Sequence, residues 1–180
     1  MMDKKEMRRM VRELKRAVTL DEKRRRSAPI MEQVEQLEAF VKARTVLLYW
    51  SMDDEVYTHA FADRWHERKR LLLPCVEGDD LLLRQYRGRQ SLRPGPEFGI
   101  PEPVGPIFDR LDEVEMIVVP GVAFDRQGNR MGRGRGFYDR LLKSTPAALK
   151  VGVAFDFQMF DSIPVEPFDV AMDVVVTESR

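Results

Sequence analysis

The sequence contains very little thiol and imidazole, with a single cysteine, Cys75, and two histidines among 180 residues. One cysteine excludes a disulfide framework and a zinc centre built from several cysteines, so we expect Cys75 to be a small buried residue. His59 and His66 have no neighbouring cysteine, so they give little support for a metal site. We expect both histidines to be structural or to lie at the surface.

Long apolar runs and a net charge are also missing. No apolar stretch approaches the roughly 20 residues that a membrane-spanning helix needs, so no membrane partner is expected. The formal net charge is +0 and the isoelectric point is about 6.8. Residues 1–16 are dense in charge and lack the apolar core of a secretory signal, so we expect a cytoplasmic protein.

The residues that are present have the composition of an ordinary globular protein, with 43% hydrophobic and 33% charged residues. A chain of this length buries roughly 70% of the surface that its unfolded form exposes, which is enough for one hydrophobic core. No internal repeat or clear linker divides the chain. We therefore expect residues 1–180 to form one domain. The sequence does not specify an oligomeric state, and we expect a monomer.

Positive charge is concentrated near the N-terminus. Residues 3–26 carry eleven Lys and Arg against five Asp and Glu, a net charge of +6, which leaves −6 on the remainder. Apolar residues recur there at steps of three and four, which predicts a helix over 3–18 with one apolar stripe (Met7, Met10, Val11, Leu14, Val18). Its cationic faces could bind nucleic acid or a nucleotide phosphate, and the alternative is a solvated helix face.

Helices and strands alternate along the rest of the chain. A second helix is predicted from Thr19 to Phe40, with a capping-box spacing at its start and a possible break at Pro29. Two further helices are predicted over 58–69 and 137–144. The predicted strands cover 45–50, 70–74, 80–87, 114–120, 150–155 and 173–177, with 80–87 at an edge. Residues 90–106, rich in proline and glycine, are predicted to be a loop. This order indicates an α/β fold, a three-layer αβα sandwich around a mostly parallel sheet.

The most informative segment is a glycine- and arginine-rich loop over 126–136, between a buried strand and a helix. In open α/β sheets, ligands bind at such positions. Three glycines free the backbone and expose N–H groups, and three arginines can bind phosphate oxygens: Gly132, Gly134, Gly136, Arg130, Arg133, Arg135. The spacing fits neither the dinucleotide fingerprint nor the P-loop. We interpret the segment as a polyphosphate cradle, and the alternative is a flexible basic loop.

Asp139 follows this loop near the first turn of the predicted helix. A carboxylate beside a phosphate cradle is suited to Mg²⁺, which needs few protein ligands and keeps several waters. The alternative is a simple electrostatic partner for the helix N-terminus.

The block from Pro120 to Asp125, continued from Gly128 to Arg140, resembles the signature of the 5-formyltetrahydrofolate cyclo-ligase family, also called methenyltetrahydrofolate synthetases. Weaker agreement extends over nearly the whole chain. It includes Lys4, Arg8, Ser51–Glu55, Phe98–Pro103, Val151–Phe155, Gln158, Ile163–Val165, Asp169 and Thr177–Glu178. The family's activity implies that the chain converts 5-formyltetrahydrofolate into 5,10-methenyltetrahydrofolate, with ATP as co-substrate and Mg²⁺ required.

The resemblance also implies roles for particular residues. ATP would be bound by Lys4, Arg8, Arg130, Met131, Gly132, Arg133, Gly134, Arg135, Gly136, Phe137 and Tyr138. Mg²⁺ would be held by Asp139 and Asp169. The reduced folate would contact Trp50, Glu55, Phe98, Arg133, Gly134, Arg135, Gly136 and Phe137. Arg133, Arg135 and Tyr138 would be the catalytic residues. From chemistry alone, a carboxylate such as Glu55 can accept the N–H groups of a pterin, and the aromatic side chains can stack on its rings.

Two positions depart from the family pattern. Phe137 stands where the family often has a tyrosine, and Phe168 stands where it often has a histidine. They leave open a non-catalytic relative that binds folate or nucleotide. A third hypothesis is a polyanion- or RNA-binding module. The near-neutral isoelectric point and the lack of an aromatic RNA-binding platform count against it, so no stable nucleic acid partner is expected.

Overall fold

The computed structural model describes residues 1–179. The helices are α1 (Lys4–Arg16), α2 (Leu20–Gln36), α3 (Glu38–Lys42), α4 (His59–Trp65) and α5 (Phe137–Lys143). The strands are β1 (Thr45–Leu47), β2 (Arg70–Glu77), β3 (Asp80–Gln85), β4 (Leu92–Pro94), β5 (Pro101–Pro103), β6 (Met116–Val119), β7 (Ala123–Asp125), β8 (Arg130–Met131), β9 (Leu149–Val153), β10 (Met159–Phe160) and β11 (Val174–Val176). Within the described residues, none of the helices is long and apolar enough to cross a membrane.

The centre of the fold is a six-stranded sheet with the order β11-β9-β6-β1-β2-β3. Every neighbouring pair is parallel except β2 and β3, which form an antiparallel hairpin. All six strands were predicted, and β3 lies at the edge as expected. The chain moves outward from β1 to β2 and β3 and then crosses to β6 on the other side of β1. The strand order therefore reverses between β1 and β6, which is where ligands bind in open sheets.

Hydrophobic side chains cover both faces of this sheet, as buried parallel strands require. Alternate residues of β1 show the two sides, because Val46 belongs to one core cluster and Leu47 to the other. The first cluster includes residues of α2, α3 and α4, such as Ile30, Phe40 and Phe61. The second includes Leu141 and Leu142 of α5. Helices thus lie on both faces, and the predicted three-layer α/β architecture is confirmed.

The predicted helix from Thr19 to Phe40 needs one correction. Its start is confirmed, because the Thr19 hydroxyl accepts the Glu22 N–H at 3.1 Å. The helix ends at Gln36 and a separate short helix follows, because Leu37 has extended backbone angles. The possible break at Pro29 is wrong, since Pro29 lies inside α2. Burial of the following residues against the sheet outweighs the hydrogen bond that proline cannot make.

Residues 90–106 were predicted to be a loop but include a small hairpin. Strands β4 and β5 pair antiparallel, with Leu92 opposite Pro103. Each strand has only three residues, and prolines interrupt the alternation that would have revealed them. A second small sheet, β10-β7-β8, also escaped the pattern because its strands have two or three residues. Cys75 is buried, as expected.

Candidate active site

A cavity of about 920 Å³ opens beside the point where the strand order reverses. Residues just past the ends of β1 and β6 line it, together with the glycine–arginine loop. The cavity wall includes every residue that the sequence placed in the site: Lys4, Arg8, Trp50, Glu55, Phe98, Arg130, Met131, Gly132, Arg133, Gly134, Arg135, Gly136, Phe137, Tyr138, Asp139 and Asp169. The predicted nucleotide, metal and folate residues therefore share one cavity.

A buried carboxylate shapes the start of the glycine–arginine loop. Asp125 Oδ1 accepts the N–H groups of Gln127 and Asn129, both at 3.0 Å, and Asp125 Oδ2 accepts the Asn129 amide. The turn then needs glycine at 128, where φ is +86°. A Cβ there would lie 2.4 Å from the Met172 carbonyl oxygen. These contacts fix the β7–β8 hairpin from which the arginines project.

A buried amide holds the segment that leads into this hairpin. Gln158 Nε2 donates to the carbonyl oxygens of Gly121 and Val122 at 2.8 and 3.1 Å. Its Oε1 accepts the Phe155 N–H at 2.9 Å. All the polar atoms of this amide thus serve to join the segment after β6 to the segment after β9. Gln158 is a structural support of the cavity wall.

The three loop arginines contact different parts of the wall. Arg130 is buried, donates from Nε to the Pro120 carbonyl oxygen at 2.6 Å and lies over the Tyr138 ring. Arg133 Nη2 donates to both carboxylate oxygens of Asp54 at 3.3 Å. Arg135 Nη1 lies 3.0 Å from Glu97 Oε1. Arg130 is therefore part of the wall, whereas the other two guanidinium groups are half exposed to the cavity and held by acids.

Helix α1 lies against the loop and adds positive charge. Its buried residues Met7 and Val11 pack with Met131 in a third apolar cluster. Arg8 Nε donates to the Gly132 carbonyl oxygen at 3.0 Å. Lys4 Nζ lies 3.1 Å from Glu166 Oε1. The expected cationic helix face is thus turned toward the cavity rather than fully solvated.

Two aspartates come together on the same side of the cavity. Asp139 Oδ1 accepts the Val170 N–H at 3.2 Å, and Val170 directly follows Asp169. Asp169 Oδ2 accepts the Glu166 N–H at 2.8 Å and lies 3.8 Å from Lys4 Nζ. Among residues 1–179, no three His, Cys, Asp or Glu side chains are arranged to hold a metal ion. A cation here would take its other ligands from water or from a bound phosphate.

A buried carboxylate lies deeper in the cavity. Glu55 Oε1 accepts the Met52 N–H at 2.8 Å, and Glu55 Oε2 lies 3.9 Å from Arg133 Nη2. Burial raises the pKa of Glu55, and the hydrogen bond and Arg133 offset only part of this effect. Tyr138 also has a raised pKa, chiefly through burial and then through Glu55, so its phenol stays protonated. Glu55 thus presents a hydrogen-bond acceptor to the cavity, and Tyr138 presents a hydrogen-bond donor.

Aromatic residues occupy two positions on the rim. The Trp50 ring stacks on His59 with centroids 3.7 Å apart, so one face of the indole is already covered. His59 is structural, as expected. Phe98, at the tip of the β4–β5 hairpin, is 90% exposed and has a φ of +53°. A bulky residue rarely adopts this left-handed backbone conformation, so the turn that carries Phe98 is strained.

The sequence did not identify the partners of the arginines and of Lys4 in the cavity wall. Asp54 lies beside Glu55 in an acidic triplet, and only the fold shows that it binds Arg133. Glu97 and Glu166 lie in proline-containing segments whose positions could not be predicted. Arg140, one turn into α5, donates to the Arg135 carbonyl oxygen at 3.1 Å. Asp54, Glu97 and Glu166 contact groups that are far away in the sequence. Arg140 contacts a nearby residue across a turn that the sequence did not predict.

The fold and the cavity define an α/β protein whose glycine–arginine loop lines a cavity at the reversal point of a mostly parallel sheet. A sequence model of the 5-formyltetrahydrofolate cyclo-ligase family matches residues 1–178. The cyclo-ligase of Mycolicibacterium smegmatis is 38% identical over 148 residues, covering 78% of this chain and 76% of that protein. The Escherichia coli enzyme is 31% identical over 179 residues, covering 95% and 98%.

Solved structures agree with the sequence relatives. The NMR structure of Aquifex aeolicus 5,10-methenyltetrahydrofolate synthetase has a TM-score of 0.89 and 39% identity, covering 99% of this chain and 91% of that one. The Mycoplasma pneumoniae synthetase, 23% identical with a TM-score of 0.79, shares the fold and covers 98% and 99%. The chain belongs to the 5-formyltetrahydrofolate cyclo-ligase family. This confirms the resemblance and favours an enzyme over a polyanion-binding module.

Proposed function

We propose that the protein converts 5-formyltetrahydrofolate into 5,10-methenyltetrahydrofolate, with ATP hydrolysed to ADP and phosphate and with Mg²⁺ required. The observation that supports this proposal is the shared cavity, in which the cationic loop and helix α1 face a buried carboxylate. The volume of about 920 Å³ lies near the upper end of the roughly 300–1,000 Å³ typical of ligand sites.

The nucleotide is assigned to the cationic part of the cavity. Lys4, Arg8 and the loop residues 130–138 would surround the phosphates. Phosphoryl transfer depends mainly on positioning and on positive charge around the transferring group, so it needs no protein nucleophile. This agrees with a cavity that contains arginines and carboxylates but neither of the histidines nor the cysteine.

Mg²⁺ is assigned to Asp139 and Asp169. Each carboxylate uses one oxygen to accept a backbone N–H, and no hydrogen bond among residues 1–179 uses the other. Two such hard oxygen donors beside a phosphate-binding loop fit the ion, which retains several waters. When bound, the ion would neutralise phosphate charge. The two aspartates would hold it, and Lys4 would balance their charge from the other side.

The reduced folate is assigned to the part of the cavity around Glu55. The Glu55 carboxylate would accept the N–H groups of the pterin. The free face of Trp50 would stack on an aromatic ring of the folate, and Phe98 would cover the opening of the cavity. The loop from Arg133 to Phe137 lines the same cavity and would separate this region from the phosphates. The formyl group would then meet the terminal phosphoryl group beside Arg133 and Arg135.

The proposed chemistry has two steps. The formyl oxygen takes the γ-phosphoryl group of ATP, and ADP leaves. The folate N10 then attacks the formyl carbon and loses its proton, the carbon–oxygen bond breaks, and phosphate departs. Arg133 and Arg135 would stabilise the charge that develops on the phosphoryl oxygens. The protonated phenol of Tyr138 would donate a hydrogen bond to the same region.

The test is the absorbance of methenyltetrahydrofolate, which should appear only when folate, ATP and Mg²⁺ are all present. Omission of ATP or chelation of the metal should abolish it.

Glu55→Gln should raise the KM for the folate more than the KM for ATP, because only the folate contacts this side chain. Equal effects on both constants would contradict the assigned pterin contact. Salt-sensitive RNA binding without turnover would contradict the enzyme itself.

We also propose that the whole chain, residues 1–180, acts as a single cyclo-ligase domain and as a cytoplasmic monomer. Both helix layers cover the same six-stranded sheet, which supports one folding unit. Light scattering on the purified protein, with and without ligands, would test the oligomeric state.

A further inference from the structure

A lysine outside the cavity wall is buried beneath it. Lys15 lies in the last turn of α1 with a side chain that is only 8% exposed. It follows Lys4 and Arg8 at spacings that place all three on one helix face. The Lys15 ammonium lies 3.7 Å from Asp54 Oδ2. Burial lowers the pKa of Lys15, and the nearby acids partly offset this, so the fold tolerates a costly charge here.

Asp54 joins this lysine to the glycine–arginine loop. One of its oxygens faces Lys15, and both accept Arg133 Nη2 at 3.3 Å. Partial burial disfavours the ionised form of Asp54, but Lys15 and then Arg133 outweigh it and lower the pKa of the carboxyl group. Asp54 is therefore a charged bridge between α1 and the loop.

The bridge ends at the Arg133 guanidinium, which Asp54 contacts at 3.3 Å. Arg133 projects from a glycine-rich segment that does not fix its side chain, and that side chain is 51% exposed. The Arg133 guanidinium lies 3.3 Å from Asp54 and 3.9 Å from the largely buried Glu55. Arg135, by contrast, contacts Glu97 on the β4–β5 hairpin. Arg133 is thus the arginine that Asp54 connects to helix α1.

We propose that Lys15 and Asp54 are positioning residues that hold Arg133 beside Glu55, where the two substrates meet. This inference rests on the proposed function. Lys15 holds the Asp54 carboxylate in place, and Asp54 in turn positions the guanidinium. Without Lys15, Asp54 would swing with Arg133 into the cavity, and the charge opposite the transferring phosphoryl group would be misplaced. A displacement of about 1 Å at such a group can reduce turnover roughly a hundredfold.

The test uses Lys15→Met, which removes the charge and keeps the volume. Burial already penalises the Lys15 charge, and the half-exposed Asp54 would keep Arg133 as its partner, so the melting temperature should change little. The kcat should nevertheless fall about ten- to a hundredfold. Lys15→Arg should recover part of this loss. Lys5→Met, on an exposed position of the same helix, is the matched control and should behave like the wild type.

A double-mutant cycle separates positioning from a general structural role. If Lys15 acts through Arg133, Lys15→Met should cause less than about a twofold further loss in an Arg133→Met background. Additive losses, a lowered melting temperature that accounts for the loss, or full activity of Lys15→Met would each overturn the inference. If the wild type itself shows no turnover with ATP, Mg²⁺ and the folate, the proposed function fails instead.

Discussion

Single residues of this cavity differ in what they contribute to stability and to chemistry. Arg133 and Arg135 are each 51% exposed and paired with acids at the surface of the cavity. Exposed ion pairs contribute only about 0–1 kcal/mol to folding. Charge aimed at a transferring phosphoryl group contributes far more to a transition state. The two arginines are therefore expected to be important for turnover and unimportant for stability.

Replacing either Arg133 or Arg135 tests whether the arginine matters for turnover but not for folding stability. Arg133→Ala and Arg135→Ala should each lower kcat by about a hundredfold or more, as removal of one transition-state donor does elsewhere. Their free energies of unfolding in urea should change by less than about 1 kcal/mol. Arg126→Ala is the control, because Arg126 is exposed in the same loop and does not line the cavity. Unchanged turnover in both variants would refute the phosphate role of the loop.

Glu55 is expected to reduce the stability of the fold. Burial raises its pKa, so the folded protein holds the Glu55 proton more tightly than the unfolded chain does. Glu55 makes its full contribution to the free energy of unfolding below its pKa in the unfolded chain, which is near 4.5. This contribution is lost as the pH rises through the higher pKa that Glu55 has in the folded protein. Glu55→Gln should therefore melt at a higher temperature than the wild type at neutral pH, and the gap should close toward pH 4.

An exposed acid provides the control for the Glu55 prediction. Glu32→Gln changes an exposed acid in α2 and should leave the pH profile of the melting temperature unaltered. If Glu55→Gln were less stable than the wild type at neutral pH, the carboxylate would be contributing to folding, and the interpretation of its buried environment would be wrong.

At the scale of elements, the β4–β5 hairpin forms one wall of the cavity. Its tip holds Arg135 through Glu97 and carries the exposed Phe98 in a left-handed conformation that costs roughly 1–2 kcal/mol. An incoming triphosphate would compete with Glu97 for the same guanidinium. The hairpin is therefore expected to weaken nucleotide binding until Glu97 is displaced.

Glu97→Gln should relieve this competition. The KM for ATP should fall about two- to fivefold, as expected for the loss of an exposed ion pair of up to about 1 kcal/mol. The KM for the folate should change less. Glu113→Gln removes a similar surface pair with Arg70, away from the cavity, and serves as the control. A raised KM for ATP would mean that Glu97 supports the nucleotide site rather than blocking it.

At the level of helices and strands, the sequence predicted those elements that have a clear hydrophobic pattern. All six strands of the central sheet follow from apolar runs, and the loop from Arg130 to Tyr138 follows from its composition. Strands of two residues, such as β8 and β10, carry too few side chains to show a period. The supports of the loop, Asp125 and Gln158, bind backbone groups that local sequence cannot identify. Pairs such as Lys15 with Asp54 depend on tertiary packing.

Across the whole molecule, the excess positive charge of the N-terminal segment meets the acidic remainder at the cavity. Helix α1 is attached through few apolar residues, chiefly Met7 and Val11, and otherwise through Lys4, Arg8 and Lys15. An element with little apolar burial opens more readily than the central strands. Helix α1 should therefore be less stable than β6, whose four residues are all buried.

Nucleotide binding should stabilise this helix. Backbone amides over Lys4–Arg16 should exchange hydrogen for deuterium faster than those of Met116–Val119 in the free protein. ATP with Mg²⁺ should slow the exchange of α1, because Lys4 and Arg8 then hold both the loop and the phosphates. The slowing should be lost in Arg8→Ala and kept in Arg9→Ala, whose side chain does not line the cavity. Protection of the glycine–arginine loop without protection of α1 would show that the helix takes no part in binding the nucleotide.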